Sequence, residues 1–193
     1  TANLWKPRHD GRSTAWWGQQ RTHARHLRRR AAGTVKQYNP HNTIHSMSRV
    51  CSLHHIVFNT YQRERTITLS ERRTLYAFLH SIITANKCKT LRIGGTDNHV
   101  HILIDLHPTK ALSWLVGELK RSSSIWMKQN NGFLRFNGWA HEYFASSIST
   151  TDKDSVIHYI QNQDQHHQKI SFEDEITDLC RKLGFEWKSE YFK

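Results

Sequence analysis

From residue 47 onward, the apolar positions switch between two periods, and the switches mark the elements. Leu53-His54-His55-Ile56-Val57-Phe58-Asn59-Thr60 is dense in strand formers and predicts a first strand. Ser70 precedes Leu75, Phe78, Leu79, Ile82 and Ile83, whose three- and four-residue spacing predicts a helix over about 70–87. Thr90–Ile93 predicts a short strand and Gly94-Gly95-Thr96-Asp97 a turn, so the next strand, Asn98–Asp105, returns as a hairpin. Period two along that strand puts Val100, Ile102, Ile104 and Leu106 on one face and His99, His101, Leu103 and Asp105 on the other.

After Pro108-Thr109, the positions Leu112, Leu115, Val116 and Leu119 predict a second helix running towards Trp126 and Met127, and Glu142–Ile148 reads as the last strand. Thr151-Asp152 can cap a third helix over 153–169, and Ser171 with Asp174 a fourth that carries Ile176, Leu179 and Leu183 and closes at Gly184. Strand, helix, strand, strand, helix, strand gives an α+β class: an antiparallel sheet with both helices on one face, the histidines on the other, and extra C-terminal helices.

Charge changes the picture at the N-terminus. The chain carries +12 overall, but residues 1–46 alone hold nine Lys/Arg against one acid, while the rest is only mildly basic. These first residues lack either apolar period, contain Pro7, Pro40 and the cluster Arg28-Arg29-Arg30, and read as a poorly ordered basic extension ahead of a domain over 47–193. The arm is either a phosphate-holding segment or an accessory extension. No apolar run approaches membrane-span length and no signal-peptide pattern is visible, so the expectation is a soluble, cytoplasmic protein. Cys51, Cys88 and Cys180 lack metal or disulfide spacing and read as reduced thiols.

The candidate chemistry gathers at two places. His99 and His101, at i and i+2 on a strand, can aim ring nitrogens at one point, although an isolated His-x-His more often only hydrogen-bonds in a sheet. On the third helix Val156, Ile157, Ile160 and His167 fall on one side, while Tyr159, Gln163 and His166 form a stripe along its edge. Two imidazoles and an amide oxygen would hold a divalent ion with positions left for substrate oxygens, and a neighbouring tyrosine could attack a phosphorus bound there. A phenol has a reference pKa of about 10, so its ionisation needs help.

His99-Val100-His101 preceded by Asp97-Asn98, then Tyr143–Ser149, then Tyr159–His167 with Phe172 and Glu175 following, resembles the single-tyrosine HUH transposases of bacterial insertion sequences, of the insertion sequence 200/605 type. The likeness spans 47–193 and leaves out the arm. It implies a ferredoxin-like, RRM-like core (βαββαβ) acting on single-stranded DNA at hairpin-marked element ends. It also implies His99, His101 and Gln163 as ligands of Mg²⁺ or Mn²⁺, Tyr159 as the nucleophile leaving a 5′-phosphotyrosine, and a homodimer whose tyrosine helices can serve each other's sites. Lys120 and Arg121, with Arg28, Arg29 and Arg30, are candidate DNA contacts, and Trp126, Phe136 and Trp139 either stack bases or pack in the core. His54 and His55 read as structural, His166 and His167 as surface or DNA-contacting, and Asp105 as a supporting group. A domesticated repeat-hairpin nuclease, a replication initiator of the same chemistry and a silent nucleic-acid-binding module are the alternatives.

Overall fold

The computed structural model describes residues 49–186; the basic arm, with Arg28, Arg29 and Arg30, lies outside the described residues. Four strands, β1 (Leu53–Asn59), β2 (Lys89–Gly95), β3 (His99–Asp105) and β4 (Phe144–Ser147), form one antiparallel sheet in the order β2-β3-β1-β4. The helices are α1 (Leu69–Ala85), α2 (Leu112–Lys128), α3 (Lys153–Gln161), α4 (Gln163–His166) and α5 (Phe172–Lys182). The βαββαβ order and the C-terminal helices match the expectation.

The helix face of the sheet holds the main core. Ile56, Phe58, Val100, Ile102 and Ile104 pack with Leu75, Leu79 and Ile83 of α1 and Leu115, Val116 and Leu119 of α2, all fully or almost fully buried. At about 1.5–3 kcal/mol for each such side chain, this layer supplies the greater part of the stability. It leaves the opposite face, with only the small cluster of Val57, Phe144, Phe172, Ile176 and Cys180, free to carry polar groups. Trp139 and Phe136 belong to the main core, and the Trp139 indole N–H donates to Ser123 Oγ at 2.9 Å, so these two pack and do not stack bases. Trp126 lies parallel on Phe78, with ring centroids 4.5 Å apart.

Four local expectations are corrected. Thr68, in extended conformation, is the N-cap residue of α1, and Ser70 lies inside the helix, its hydroxyl 3.0 Å from Thr68 Oγ1. Gly94 and Gly95 are not the hairpin turn: they pair with His101 and Val100 as the end of β2, and the turn falls at 96–98. A side chain at Gly95 (φ +147°) would meet the His99 carbonyl oxygen at 2.2 Å, so glycine serves a close strand approach there. β4 is shorter than the seven residues expected, because it pairs only with His54–Val57 before the chain turns at Ser149. The third helix is broken in two: Asn162 (φ −99°, ψ 19°) ends α3, with its side-chain amide 2.8 Å from His158 Nε2, a local bond that competes with helical pairing.

Candidate active site

Register brings the polar face together. In β3 His99 stands opposite Asn59 and His101 opposite Val57, while His55 of β1 lies opposite Leu103. Alternation then puts His99, His101 and His55 on the face away from α1 and α2. Both motif histidines are fully buried there. The hairpin that carries them is held by the Asp97 carbonyl, which accepts from the backbone N–H groups of Thr66 (2.9 Å) and Ile67 (2.8 Å).

α3 crosses this face at Gly94. A β-carbon at Gly94 would lie 2.3 Å from the Ile160 carbonyl oxygen, so a bare backbone next to His101 is what lets the helix sit on the sheet. Tyr159, one residue earlier, thereby reaches the histidines: its ring centroid is 5.8 Å from that of His101 and 6.2 Å from that of His55. We expect Gly94→Ala to stay folded but to lift α3, lowering the rate of any reaction at Tyr159 about 10²-fold, as for a displacement on the order of 1 Å. Circular dichroism with a single-turnover assay checks this, and an unchanged rate would show that the close approach is dispensable.

α5 supplies the group that sequence reasoning passed over. Ser171 caps it, accepting from Asp174 N–H as expected, and one turn in, Glu175 is buried at 3% exposure. Its carboxylate is the hub. Oε1 accepts from the Tyr159 hydroxyl and from Gln163 Nε2 at 3.0 Å; Oε2 lies 3.1 Å from His167 Nε2, 3.5 Å from His101 Nε2 and 3.7 Å from His99 Nε2. The signal was available: Phe172, Ile176 and Leu179 form an apolar stripe, and Glu175 is the charge set into it.

His167 is also corrected. It is turned inward, its side chain 13% exposed, with Nδ1 2.9 Å from the Ile170 carbonyl. His55, read as structural, has a more specific place, its Nε2 3.0 Å from His101 Nδ1. His54 bonds to Ser52 Oγ, and Asp105 accepts from the Ser52 N–H, both away from the cluster. Lys120 donates to the carbonyls of His141 (2.6 Å) and Glu142 (3.2 Å), and Arg121 pairs with Glu118. Neither joins the histidine cluster.

The outer nitrogens reveal what the inner ones face. His99 Nδ1 lies 2.7 Å from Asn98 Oδ1, itself taking the Thr96 hydroxyl hydrogen, and His167 Nδ1 donates to a backbone carbonyl. For His99 the bond assigns the ring proton to Nδ1 and leaves Nε2 with a lone pair directed inward, while His167 Nε2 lies within hydrogen-bond distance of Glu175 Oε2. His101 Nε2 is buried without a hydrogen bond. His99, His101, His167 and Glu175 thus present ligand atoms all within 4.8 Å of one another, and Gln163 Oε1, another acceptor, stands 3.4 Å from His99 Nε2. Lone pairs converging on lone pairs are repulsive unless a cation lies between them, so the donor set fits a divalent metal.

Titration follows from the same packing. Burial, then the neighbouring His101, holds His99 well below the ordinary histidine value and brings His55 to about 3, so both rings are neutral. Burial alone would raise the Glu175 carboxyl, but His101, His167 and His99 outweigh it and keep the group ionised. Burial, then the Glu175 charge, drives the Tyr159 phenol far above its usual value. Without a cation the nucleophile candidate stays protonated.

A four-stranded antiparallel sheet that sets imidazoles, a carboxylate and a phenol in one buried cluster defines an α+β protein with a candidate metal-assisted tyrosine centre. The family model described as "Transposase IS200 like" matches residues 49–163, more than half of the chain, and the chain belongs to that family. It is a family of DNA-cleaving, in general metal-dependent enzymes. Curated relatives are the transposases for insertion sequence element IS200 of Salmonella typhimurium and Salmonella typhi, each 24% identical over 115 residues that cover 57% of this chain and 75% of theirs. Among solved structures, a REP-associated tyrosine transposase bound to a REP hairpin aligns over 64% of this chain and 74% of its own, at 14% identity and TM-score 0.50. A solved structure from Deinococcus radiodurans aligns over 60% of this chain and 94% of its own, at 22% identity and TM-score 0.49. Among the described residues no helix is long and apolar enough to cross a membrane.

Proposed function

We propose that this transposase cuts and rejoins single-stranded DNA at hairpin-marked ends through a phosphotyrosine on Tyr159. The observation that carries the reading is the Tyr159 hydroxyl bonded to Glu175, the carboxylate that His99, His101 and His167 also face. A phenol placed there is set for attack, with its hydrogen already resting on an acceptor, Glu175 Oε1. Attack forms the Tyr159 Oη–phosphorus bond and breaks the bond to the 3′ oxygen; the phenol proton leaves by way of Glu175 Oε1 and one proton is returned to the 3′ oxygen, which departs as a hydroxyl, so protons balance over the step. The phosphodiester energy is kept in the protein–DNA link, so rejoining needs no nucleotide cofactor.

A divalent cation held by His99, His101, His167 and Glu175, with Gln163 beside it, would supply Lewis-acid polarisation of the scissile phosphate. Gln163, expected from the sequence as a ligand, donates its amide N–H₂ to Glu175, which leaves Oε1, the ligand atom of an amide, 3.4 Å from His99 Nε2 and free to join this set. Three imidazoles and a carboxylate are a softer set than two imidazoles and an amide, and favour Mn²⁺ over Mg²⁺. Within one chain the Tyr159 hydroxyl meets Glu175 beside His99 and His101, which supports a site complete in cis; a homodimer that exchanges tyrosine helices would build the same site from two chains. Of the expected DNA contacts, Arg121 retains a solvent-facing guanidinium for the strand, whereas Lys120 is committed to the 141–142 loop.

The test is end-labelled single-stranded DNA containing the hairpin that flanks the gene, incubated with protein and Mn²⁺, Mg²⁺ or EDTA. A denaturation-resistant shift appears with Mn²⁺, more weakly with Mg²⁺, and not with EDTA. DNA that is tightly bound but never covalently linked would replace this reading with that of a silent binding module.

A further inference from the structure

A second polar pocket lies beyond α3, at the outer edge of β2, and the reaction just described makes no use of it. Its volume is about 330 Å³, and Arg72, Arg73 and Tyr76 of α1, Arg92 and Gly94 of β2, and Gln163 and Asp164 of α4 contribute to its walls. Three buried polar atoms of this wall, Arg72 Nε, Arg92 Nε and Tyr76 Oη, form no hydrogen bond. An orphaned buried donor costs about 1–3 kcal/mol, more when charged, and three around one cavity are too many to be incidental.

All three atoms can donate. Both guanidinium Nε atoms can only donate. Burial pushes the Tyr76 phenol up to about 12, so it keeps its hydrogen at neutral pH. One carboxylate, Asp164, faces three arginines and is taken by Arg72 through Nη1, which also reaches the Gly95 carbonyl at 3.5 Å; Arg73 and Arg92 keep a net positive charge in the pocket. Neutral ligands and cations do not answer such a wall. A tetrahedral oxyanion does, because its several acceptor oxygens can meet donors arriving from a helix and a strand at once.

The geometry points to a phosphate seat: we propose that Arg72, Tyr76 and Arg92 hold one backbone phosphate of the DNA strand, a fixed distance along it from the phosphate on which Tyr159 acts. This rests on the reading of the protein as a single-strand DNA transferase. Gln163 belongs to both walls, bonding to Glu175 and bordering this pocket, and Asp164 follows it, so a strand seated here runs alongside α4 into the tyrosine site. The seat would set where along the strand cleavage falls.

The test uses the full chain and the same hairpin oligonucleotide, with fluorescence anisotropy over a series of NaCl concentrations. The variants are Arg92→Gln, Arg92→Lys and Tyr76→Phe, their folding followed by circular dichroism. Loss of one phosphate contact lowers the log–log salt slope by about 0.7 for a single strand. We expect that decrease for Arg92→Gln, with affinity about tenfold weaker, and a weakening without slope change for Tyr76→Phe, which removes a donor but no charge. A single methylphosphonate walked along the strand should reduce wild-type binding at one linkage and leave Arg92→Gln indifferent there.

Wild-type affinity and slope in both Arg92→Gln and Tyr76→Phe would overturn the seat, while a surviving covalent adduct would leave the transferase reading in place. Stabilisation of the wild type by inorganic phosphate, lost in Arg92→Gln without any change in DNA binding, would overturn it in favour of a free anion site. Failure of wild-type protein to bind the strand at all would remove the transferase reading, and the seat with it.

Discussion

Tyr159→Phe abolishes the covalent protein–DNA adduct and lowers strand transfer to background, while DNA binding stays within about twofold of wild type. The ring survives the substitution, so its contacts with His101, His55 and His166 persist; only the hydroxyl is lost. The structural cost is small, on the order of 1 kcal/mol, because Glu175 Oε1 still accepts from Gln163 Nε2. The effect on adduct formation, with the proposed nucleophile gone, is total by comparison. Denaturing gels for the adduct and anisotropy for binding separate the two effects, and an adduct that persists in the variant would move the nucleophile to another tyrosine.

Glu175→Gln has the second large effect, at a residue that stands within the family motif but carried no assigned role there. The carboxylate contributes the one negative charge among the imidazoles of the cluster, so its loss should weaken Mn²⁺ binding by about 10²-fold or more. At a metal concentration of about 100 times the wild-type Kd, the ion stabilises the native protein by about 2.7 kcal/mol; a hundredfold weaker site keeps only about 0.4 kcal/mol. Thermal melts with and without Mn²⁺ read this directly. Wild type should gain several degrees on adding metal and the variant almost none. An equal gain in both would show that Glu175 positions Tyr159 and Gln163 without touching the ion.

The contrast between these two residues shows what the sequence could and could not reveal. Tyr159 was legible because its helix periodicity placed it on an edge stripe with Gln163, one turn away, and a strand with His-x-His stood elsewhere to receive it. The antiparallel sheet was legible for the same reason: period-two and period-3.6 stretches alternate cleanly from residue 53 to 148. Glu175 was legible only as a charge set into the apolar stripe of α5; what it meets depends on α5 folding back over the sheet, a long-range placement that no local spacing encodes. His167 carried half a signal, sharing a helix side with Ile160, but the break at Asn162 changes how the following turn is aimed, and a helix read as continuous to Lys169 hides that. Gly94 was read as turn chemistry, although its service is the close approach of Ile160, again a tertiary demand. Trp139 and Phe136 show the reverse case, where chemistry suggested base stacking and burial under α2 decided otherwise.

Tyr159 as the attacking group is tested most directly by digesting the Mn²⁺-dependent adduct with trypsin and nuclease and locating the residual nucleotide by mass spectrometry. A single modified peptide is expected, residues 154–169, with the nucleotide on Tyr159 through a 5′-phosphate. A nucleotide on the peptide carrying Tyr143 or Tyr76, or on any histidine, would contradict it.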